Sequence, residues 1–382
     1  MLNLLAIIGG AVLVAAVLWE TFETIVLPRR VTRQFRMTRY FYRWTWKPWG
    51  VLAGLRKNKK KRESLLSYYG PISLLLLLAL WAMALMFGFA LIHYGAHTEF
   101  SGAVLPSRFG NDLYMSGTTL VTLGLGDLTP ATPLARFLTV LEAGIGFGFL
   151  ALVIGYLPVI YQSFSRREVT ISLLDARAGS PPTATELLRR HTGPYGADAL
   201  LQLLKDWEHW SADLMESHLS YPVLAYFRSQ HDNQSWLGSL TAILDVCALA
   251  MAGLEGGMCQ YQARTTFAIA RHALVDLSQI FVVKPVATDS LNRLPPGDLT
   301  VMRQLLRESG FLLPEEEGTA DQLAHTRSLY EPYAFALARY LSIELPPWIR
   351  HDVIKDNWKT TAWKPAPSKV CAEAAAVPDE HF

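Results

Sequence analysis

The residues SGTTLVTLGLGDLTP, at positions 116–130, decide the fold of this 382-residue chain. Gly124 and Gly126 stand two positions apart, and glycine is the residue that most readily adopts a positive φ angle. A loop with positive φ at alternate positions can turn successive backbone carbonyls to the same side. The stretch therefore predicts a loop that presents a row of carbonyl oxygens, with the hydroxyl of Thr122 at its inner end.

Two glycines at this spacing also occur in ordinary turns, so the flanking residues must distinguish a structured loop from a turn between two membrane helices. Residues 111–121 have the composition of a short helix that leads into the loop, and long apolar segments lie on both sides. A simple turn would leave the threonines before the glycines and Asp127 after them without a role. We therefore expect a short helix followed by a structured loop.

Apolar residues are concentrated in the first 165 positions of the chain. Residues 2–27, 65–92 and 134–164 each contain an apolar run long enough to cross a bilayer core of about 30 Å, which takes about 20 helical residues. Basic residues follow the apolar core of the first run and do not precede it, so we do not expect a cleaved signal peptide. The sequence predicts three membrane spans.

The basic residues predict how these spans are oriented. Residues 29–62 contain 13 lysines and arginines and no acidic residue, and short loops of this composition stay in the cytoplasm. Arg166 and Arg167, just after the third span, indicate the same orientation. We expect a multi-pass protein of the plasma membrane, the inner membrane in a bacterium. Its N-terminus and residues 95–130 would lie outside, and its C-terminus in the cytoplasm.

The basic segment is also rich in aromatic residues, which favours an interfacial helix with its rings at headgroup depth and its cations against anionic lipid. Nucleic acid is not an expected partner so close to a membrane. Arginines at three- and four-residue spacing also suggest voltage sensing, but a voltage-sensing helix needs several partner helices with countercharges, and only one span precedes it. The aromatic residues are Phe35, Tyr40, Phe41, Tyr42, Trp44, Trp46 and Trp49, and the arginines are Arg30, Arg33, Arg36, Arg39 and Arg43.

The third span contains glycines and a proline at positions that suggest a bend. Proline removes a helix hydrogen bond and favours a kink, so Gly155 to Pro158 is one candidate hinge, and Gly144 to Gly148, which includes Gly146, is another. Small residues that merely allow close helix packing are an equal alternative. Glu142 lies in the same apolar run, where a carboxylate should face protein or water. We expect it either behind the short helix or in a water-filled cavity.

From residue 166 to residue 364 the composition is that of a soluble, mostly helical domain. Apolar residues recur at helical spacing, and Thr183 with Glu186 forms a predicted capping box. The sequence of this domain has no glycine-rich nucleotide-binding motif after a strand, so the ligand or protein that it binds stays unknown. Residues 365–382, rich in Ala and Pro, are expected to be disordered.

Residues 122–127, TLGLGD, resemble the selectivity filter of potassium channels, whose usual form is TVGYGD. The resemblance covers about residues 65–164 as outer helix, pore helix, filter and inner helix. It implies that filter carbonyls bind potassium ions with no other cofactor, and that four chains surround one axis as a homotetramer. Asp127 would lie at the outer mouth. The implied ion-binding residues are Thr122, Leu123, Gly124, Leu125 and Gly126, with Leu123 and Leu125 wedged against their surroundings, and the implied pore-helix supports are Tyr114, Thr118 and Thr119.

The chain departs from the usual filter at Leu125, where tyrosine or phenylalanine is common. A tyrosine hydroxyl can bond to the pore helix and hold the filter open, whereas leucine cannot, and neither Tyr114 nor Ser116 is an obvious partner for a tyrosine there. Thr118 stands where some relatives hold a carboxylate behind the filter, so Asp127 is expected to lack that partner. Both changes predict weaker discrimination against sodium, with cation conduction kept.

The sequence thus predicts an all-α membrane protein with a potassium-channel-like pore, an extra N-terminal transmembrane helix and a helical cytoplasmic domain. Two functions stay open: a tetrameric cation channel that prefers potassium and is gated by its cytoplasmic domain, and a non-conducting membrane-anchored sensor or scaffold. No set of nucleophile, base and acid in the sequence indicates an enzyme. The predicted divisions are the first helix (1–28), the basic segment (29–64), the pore domain (65–165), the helical domain (166–364) and the tail (365–382).

Overall fold

The computed structural model describes residues 1–27, 36–102, 106–231, 233–254, 259–287, 292–314 and 317–350. The predicted disordered tail and the arginines at positions 30 and 33 lie outside these residues. The helices are α1 (Leu2–Thr21), which continues as a π-helical turn (Phe22–Val26), α2 (Met37–Gly54), α3 (Lys59–Gly95), α4 (Arg108–Leu120), α5 (Pro133–Ala178), α6 (Ala184–Arg189), α7 (Gly196–Ser220), α8 (Trp236–Met251), α9 (Gln260–Ile280), α10 (Pro296–Glu308), α11 (Glu317–Ser328) and α12 (Glu331–Leu341). A 3₁₀ turn (Pro222–Tyr226) precedes α8, and two short strands, β1 (Phe100–Gly102) and β2 (Leu128–Pro130), flank α4 and the loop after it.

The protein is an all-α membrane protein, as predicted. In the part of the chain that the structure describes, three helices are long and apolar enough to cross a membrane: Leu2–Val26, Lys59–Gly95 and Pro133–Ala178. The third continues well past the predicted end at residue 164, as one helix of 46 residues. The predicted division after residue 165 therefore falls inside α5, and the pore region joins the helical domain through an unbroken helix.

Glycines allow α1 to lie directly against α3. A Cβ on Gly10 would stand 2.4 Å from the carbonyl oxygen of Gly88, and one on Gly95 would stand 2.5 Å from that of Asn3. Only small residues permit this backbone approach between membrane helices. The two contacts run in opposite chain directions, so the helices are antiparallel. The N-terminus consequently lies at the same end of the molecule as the segment that follows α3.

The helical domain is built around α8, in which every residue from Trp236 to Ala250 is buried. Its polar interior contains a compact ionic group, in which Nη2 of Arg293 lies 2.6 Å from Oδ2 of Asp245 and Nη1 lies 3.2 Å from Oε1 of Glu331. The predicted helix start at Thr183 is confirmed, because its hydroxyl accepts a hydrogen bond from the N–H of Glu186 at 3.3 Å.

The aromatic residues of α2 correct part of the interfacial interpretation. Tyr42 and Trp46 are only 8% and 4% exposed. The ring of Tyr42 stacks on Tyr226 of the helical domain, and the ring of Trp46 meets Tyr69 of α3 edge-on. Nε1 of Trp46 donates to the carbonyl of Tyr340 at 2.8 Å. These two rings are not free to contact lipid, because the helical domain covers them. Trp44, which is 75% exposed, stays available to the surface.

Glu20 and Glu23 tie the end of α1 to the start of α2. The two carboxylate oxygens of Glu20 accept the backbone N–H groups of Met37 and Thr38, at 3.0 and 3.2 Å. These are among the first N–H groups of α2, which have no partner within the helix. Glu23 lies 4.0 Å from Nε of Arg36. Both carboxylates therefore act at the junction of the two helices, together with Arg36.

Candidate functional site

The short helix α4 leads directly into the glycine-containing loop of residues 122–127. It begins at Ser107, whose hydroxyl accepts the N–H of Gly110 at 3.2 Å. Its C-terminus continues into the loop through two backbone hydrogen bonds, from the N–H of Thr122 to the carbonyl of Thr119 at 3.0 Å and from the N–H of Leu123 to that of Thr118 at 2.8 Å. The C-terminal end of a helix carries partial negative charge, which favours a cation beside the loop.

The backbone of the loop has the alternation that the glycines predict. Gly124 and Gly126 have φ angles of 56° and 77°, and Thr122 has a φ angle of 57°. Positive φ therefore occurs at three alternate positions, the third of which was not evident from the sequence because a threonine occupies it. Alternation of this kind directs carbonyl groups to one side of a strand-like loop.

Residues 121–127 are all exposed in the single chain. Leu123 and Leu125 are 57% and 60% exposed, so the surroundings against which the sequence expects them to wedge are not supplied by their own chain. A Cβ added to Gly124 or to Gly126 would likewise have no atom of the described residues within 4 Å. The loop is held at its two ends, and the described residues of the same chain leave the rest of it uncovered.

The predicted supports on α4 hold the loop in different ways. Thr118 and Thr119 act through the backbone carbonyls described above, and the hydroxyl of Thr118 donates to the carbonyl of Met115 at 3.0 Å. Tyr114 reaches across the loop, and its hydroxyl donates to Oδ2 of Asp127 at 2.7 Å. Asp127 is thus bonded to a tyrosine hydroxyl one turn before Thr118, and not to a carboxylate at position 118 as in some relatives.

The outer end of the loop is also fixed by the two-stranded sheet. β1 pairs antiparallel with β2, with Gly102 opposite Leu128 and Phe100 opposite Pro130. Gly102 has a φ of 128°, and a Cβ at this position would lie 1.9 Å from the carbonyl oxygen of Asp127. Only glycine fits at such a distance. The segment after α3 therefore lies directly on the end of the loop.

Among the candidate hinge residues of α5, only Gly146 is needed for packing within the chain. A Cβ on Gly146 would stand 2.2 Å from the carbonyl oxygen of Leu120, at the end of α4, whereas Gly144 and Gly155 have nothing within 4 Å. Pro158 lies inside the continuous helix α5. The packing alternative thus accounts for Gly146, and a hinge between Gly155 and Pro158 stays a prediction.

Glu142 is enclosed on the back of α4 and does not face the loop. Its side chain is fully buried, and its Oε2 lies 3.7 Å from Nε2 of His93 on α3. Of the two positions considered from the sequence, the structure gives the one behind the short helix. His93 and its buried neighbour Asp112 were not predicted from the sequence to belong to this site, and neither was a place for Ser116 beside them. The available signal was a set of polar residues inside otherwise apolar helices.

At the other end of α5, Arg167 joins the pore region to the helical domain. It is 3% exposed, and its guanidinium donates to the carbonyls of Leu224 and Phe227 at 2.9 and 2.8 Å. Its Nη1 also lies 3.2 Å from Nε2 of His218 on α7. Burial, and then the charge of Arg167, lower the pKa of His218 well below its usual value. The imidazole therefore accepts a hydrogen bond from Arg167 in its neutral form.

The helical domain also holds the beginning of α3. Glu344 accepts hydrogen bonds from Nζ of Lys59 at 2.7 Å and from Nη2 of Arg62 at 2.9 Å. The hydrogen bond from Lys59 lowers the pKa of the Glu344 carboxyl. Phe227 packs against Gly70 of α3 and Phe164 of α5. The domain thus contacts both long membrane helices at the end opposite to the loop.

Comparisons with known proteins agree with this geometry. Residues 75–162 match the ion-channel family. Over 80 residues the chain is 40% identical to two pore potassium channel c of Oryza sativa subsp. japonica, and over 212 residues it is 25% identical to the uncharacterized membrane protein YdjJ of Bacillus subtilis (strain 168). These alignments cover 21% and 55% of this chain, and only 17% and 59% of the respective relatives. No solved structure matches the chain.

The helix, loop and helix arrangement from α3 to α5 is therefore an ion-channel pore domain. Within this domain, the TLGLGD loop resembles the filter of potassium channels, and the rice relative is a protein named as a potassium channel. From here on, α4 is called the pore helix and residues 122–127 the filter.

Proposed function

We propose that the chain forms a tetrameric cation channel that prefers potassium. The observation that carries this proposal is the positive φ at Thr122, Gly124 and Gly126, in a loop held at the C-terminus of a short helix. A row of carbonyl oxygens of this kind replaces the hydration shell of a cation. One such loop cannot surround an ion, so four chains are required around one axis. The exposure of the whole filter in a single chain supports this assembly.

The ion-binding groups in this proposal are the carbonyls of the filter, and Asp127 lies at the outer mouth. Potassium is preferred because the backbone keeps the oxygen count of a potassium filter. Leu125 offers no hydroxyl for a bond to the pore helix, so the filter deforms more easily and sodium leaks when potassium is scarce. The ion-binding residues are Thr122, Leu123, Gly124 and Leu125, with Gly126 completing the turn.

We place the filter end of the molecule outside the cell and the helical domain in the cytoplasm. The 13 basic residues between positions 29 and 62 favour the cytoplasm, and two of them, Lys59 and Arg62, bond to Glu344 of the helical domain. Anionic lipid is the proposed partner of the exposed cations and of Trp44 on α2. Labelling of single cysteines introduced near position 100 in intact cells tests this orientation, and labelling only after lysis would contradict it.

We propose that the helical domain controls the opening and closing of the pore. Because α5 passes without interruption into the domain, and Arg167 is bonded to the domain loop, rearrangement of the domain moves the inner helix. The bend is placed between Gly155 and Pro158. Truncation after residue 179, at the end of α5, is expected to change the open probability more than the ion preference. Unchanged gating in assembled truncated tetramers would contradict this coupling.

The decisive test is the reversal potential of the reconstituted full-length chain across a potassium–sodium gradient. We expect a value close to the potassium equilibrium potential that shifts toward sodium when external potassium is lowered. A value unmoved by low potassium would show a filter as rigid as one with tyrosine, and a value of zero would show a non-selective cation channel. If demonstrably assembled tetramers carry no current, the function as a sensor or scaffold would be favoured.

A further inference from the structure

Three ionisable side chains are enclosed behind the pore helix of one chain. They are His93 at the outer end of α3, Asp112 on the pore helix and Glu142 on α5, and their exposed fractions are 0%, 1% and 0%. Nε2 of His93 lies 3.7 Å from Oε2 of Glu142. Because each residue comes from a different helix of the pore domain, this buried cluster exists only where the three helices meet.

The buried cluster is not a closed hydrogen-bond network. Within the described residues, both carboxylate oxygens of Glu142, Oδ2 of Asp112 and Nε2 of His93 have no hydrogen-bond partner. The same holds for Oγ of Ser116, which lies one helical turn after Asp112 and therefore on the same face of the pore helix. A buried carboxylate without partners is costly in surroundings of low polarity. These atoms are thus arranged to exchange protons or to hold a ligand that supplies them.

Counting charges indicates which ligand fits. With all three groups ionised, two carboxylates face one imidazolium, and the cluster carries one net negative charge. Arg108, one turn before Asp112, is the charged group on the pore helix that acts on Asp112, and its guanidinium also bonds to His97 and to the carbonyl of Tyr94. One added proton makes the three-residue cluster neutral without any new space being needed.

We propose that His93, Asp112 and Glu142 form a buried proton-binding site, and that proton uptake from the outer side lowers conduction through the filter. The first half concerns the pore domain alone. The second half rests on the proposed channel function. Thr98 and the ring of Phe100 cover the outer side of His93, with Nδ1 of His93 3.0 Å from Oγ1 of Thr98 and the two rings 5.4 Å apart.

One route from the site to the filter runs through the pore helix. Asp112 and Ser116 lie on this helix, whose last carbonyls accept the N–H groups of the filter. Glu142 lies one turn before Gly146, which touches the carbonyl of Leu120 at the end of the same helix. The attraction between an ionised Glu142 and a protonated His93 therefore draws α5 and α3 together directly behind the pore helix.

A second route runs along the outer surface. His93 is linked through Thr98 to β1, and β1 pairs with β2 immediately after Asp127. When Glu142 takes up a further proton, its attraction to His93 is lost. The filter is then held less firmly through the pore helix and through β1. Acidification of the outer solution is therefore expected to reduce the current.

The test uses the full-length chain in planar bilayers, with potassium current recorded at an outer pH of about 8 and of about 5, a range in which a buried carboxylate can take up a proton. We expect the wild-type current to fall at least about fivefold at the lower pH, the size of a typical coupling between linked sites. Glu142→Gln and His93→Gln should each flatten this profile. Glu99→Gln, an exposed carboxylate on the same side, is the matched control and should keep the wild-type profile.

A second measurement does not depend on conduction. Infrared spectroscopy of the full-length chain in lipid follows the C=O stretch of protonated carboxylic acids as the pH is lowered. We expect a band that grows in the wild type and is reduced in Glu142→Gln or in Asp112→Asn, so that either variant can decide if the other fails to fold. Equal bands in the wild type and both variants would overturn the site. If the current of Glu142→Gln and of His93→Gln depends on pH as in the wild type, the site does not control the filter. If the wild type carries no current but its infrared band still titrates, only the proposed channel function is contradicted.

Discussion

The hydroxyl of Tyr114 donates a 2.7 Å hydrogen bond to the carboxylate of Asp127, so the pore helix holds the outer end of the filter. This bond spans 13 residues of sequence and crosses the entire filter. Its effect is to limit outward movement of Asp127 while leaving the carbonyls of the filter free for ions. In a filter without a tyrosine at position 125, this is the side-chain strut that the described residues of the same chain provide.

Tyr114→Phe removes this strut and leaves the ring in place. We expect currents that decay severalfold faster during a maintained opening, and a reversal potential that moves further toward sodium, because Asp127 loses its only described side-chain donor. Single-channel recording measures both. Tyr94→Phe, which removes a hydroxyl at the same end of the molecule, is the control. If Tyr114 acts through Asp127, combining Tyr114→Phe with Asp127→Asn adds little to either change alone, and additive effects would contradict the mechanism.

Leu125→Tyr is not expected to tighten potassium selectivity. A tyrosine strut needs a partner on the pore helix, but in the same chain the hydroxyl of Tyr114 is bonded to Asp127, and Ser116 is fully buried beside Glu142. Reversal potentials of Leu125→Tyr and of Leu125→Phe should therefore be equal. A clear gain for the tyrosine variant alone would show that a neighbouring subunit supplies the partner.

Gly146→Ala should destabilise the pore domain, whereas Gly144→Ala should not. An added methyl at position 146 meets the carbonyl of Leu120 at 2.2 Å, and one at position 144 meets nothing within 4 Å. Overpacking of this kind typically costs about 1–3 kcal/mol. Thermal unfolding of the two purified variants in detergent compares them directly. Equal unfolding temperatures would mean that α5 shifts away from the pore helix without cost.

His218 makes the junction between α5 and the helical domain sensitive to acid. Burial and the Arg167 charge lower the pKa of His218 in the folded state, so below its ordinary pKa of about 6.5 the unfolded chain binds one proton more. The free energy of unfolding attributable to this residue then falls as the pH falls, by at most about 1.4 kcal/mol per pH unit, and it is constant above about pH 7.5.

His218→Gln should flatten this part of the pH dependence, since an amide can still accept from Arg167 and does not titrate. Urea unfolding of the full-length chain between about pH 5 and about pH 8 measures it. His209→Gln, an exposed histidine on the same helix, should keep the wild-type slope. An unchanged slope in His218→Gln would show that another group is responsible.

Several features follow from local properties of the sequence. The three spans were predictable because length and hydropathy are sufficient to specify a membrane helix. Positive φ at Gly124 and Gly126 was predictable because glycine adopts this conformation without steric cost. The capping role of Thr183 was predictable because it depends on a spacing of three residues. The continuation of α5 beyond residue 164 was missed, because the end of the apolar stretch does not require the helix to end.

Other features depended on which helix faces meet, and helical periodicity does not specify the neighbour of a face. The bond from Tyr114 to Asp127 needs the filter to fold back along the pore helix, and the approach of His93 to Glu142 needs α3 and α5 in register behind it. Tyr42 and Trp46 are aromatic residues in a basic segment, and this pattern predicts contact with lipid. In the structure the helical domain covers both rings. The sequence by itself determined the membrane helices and the conformation of the filter glycines, because both are properties of neighbouring residues. Tertiary structure alone decided which polar groups are enclosed together, because burial and pairing depend on surfaces far apart in the chain.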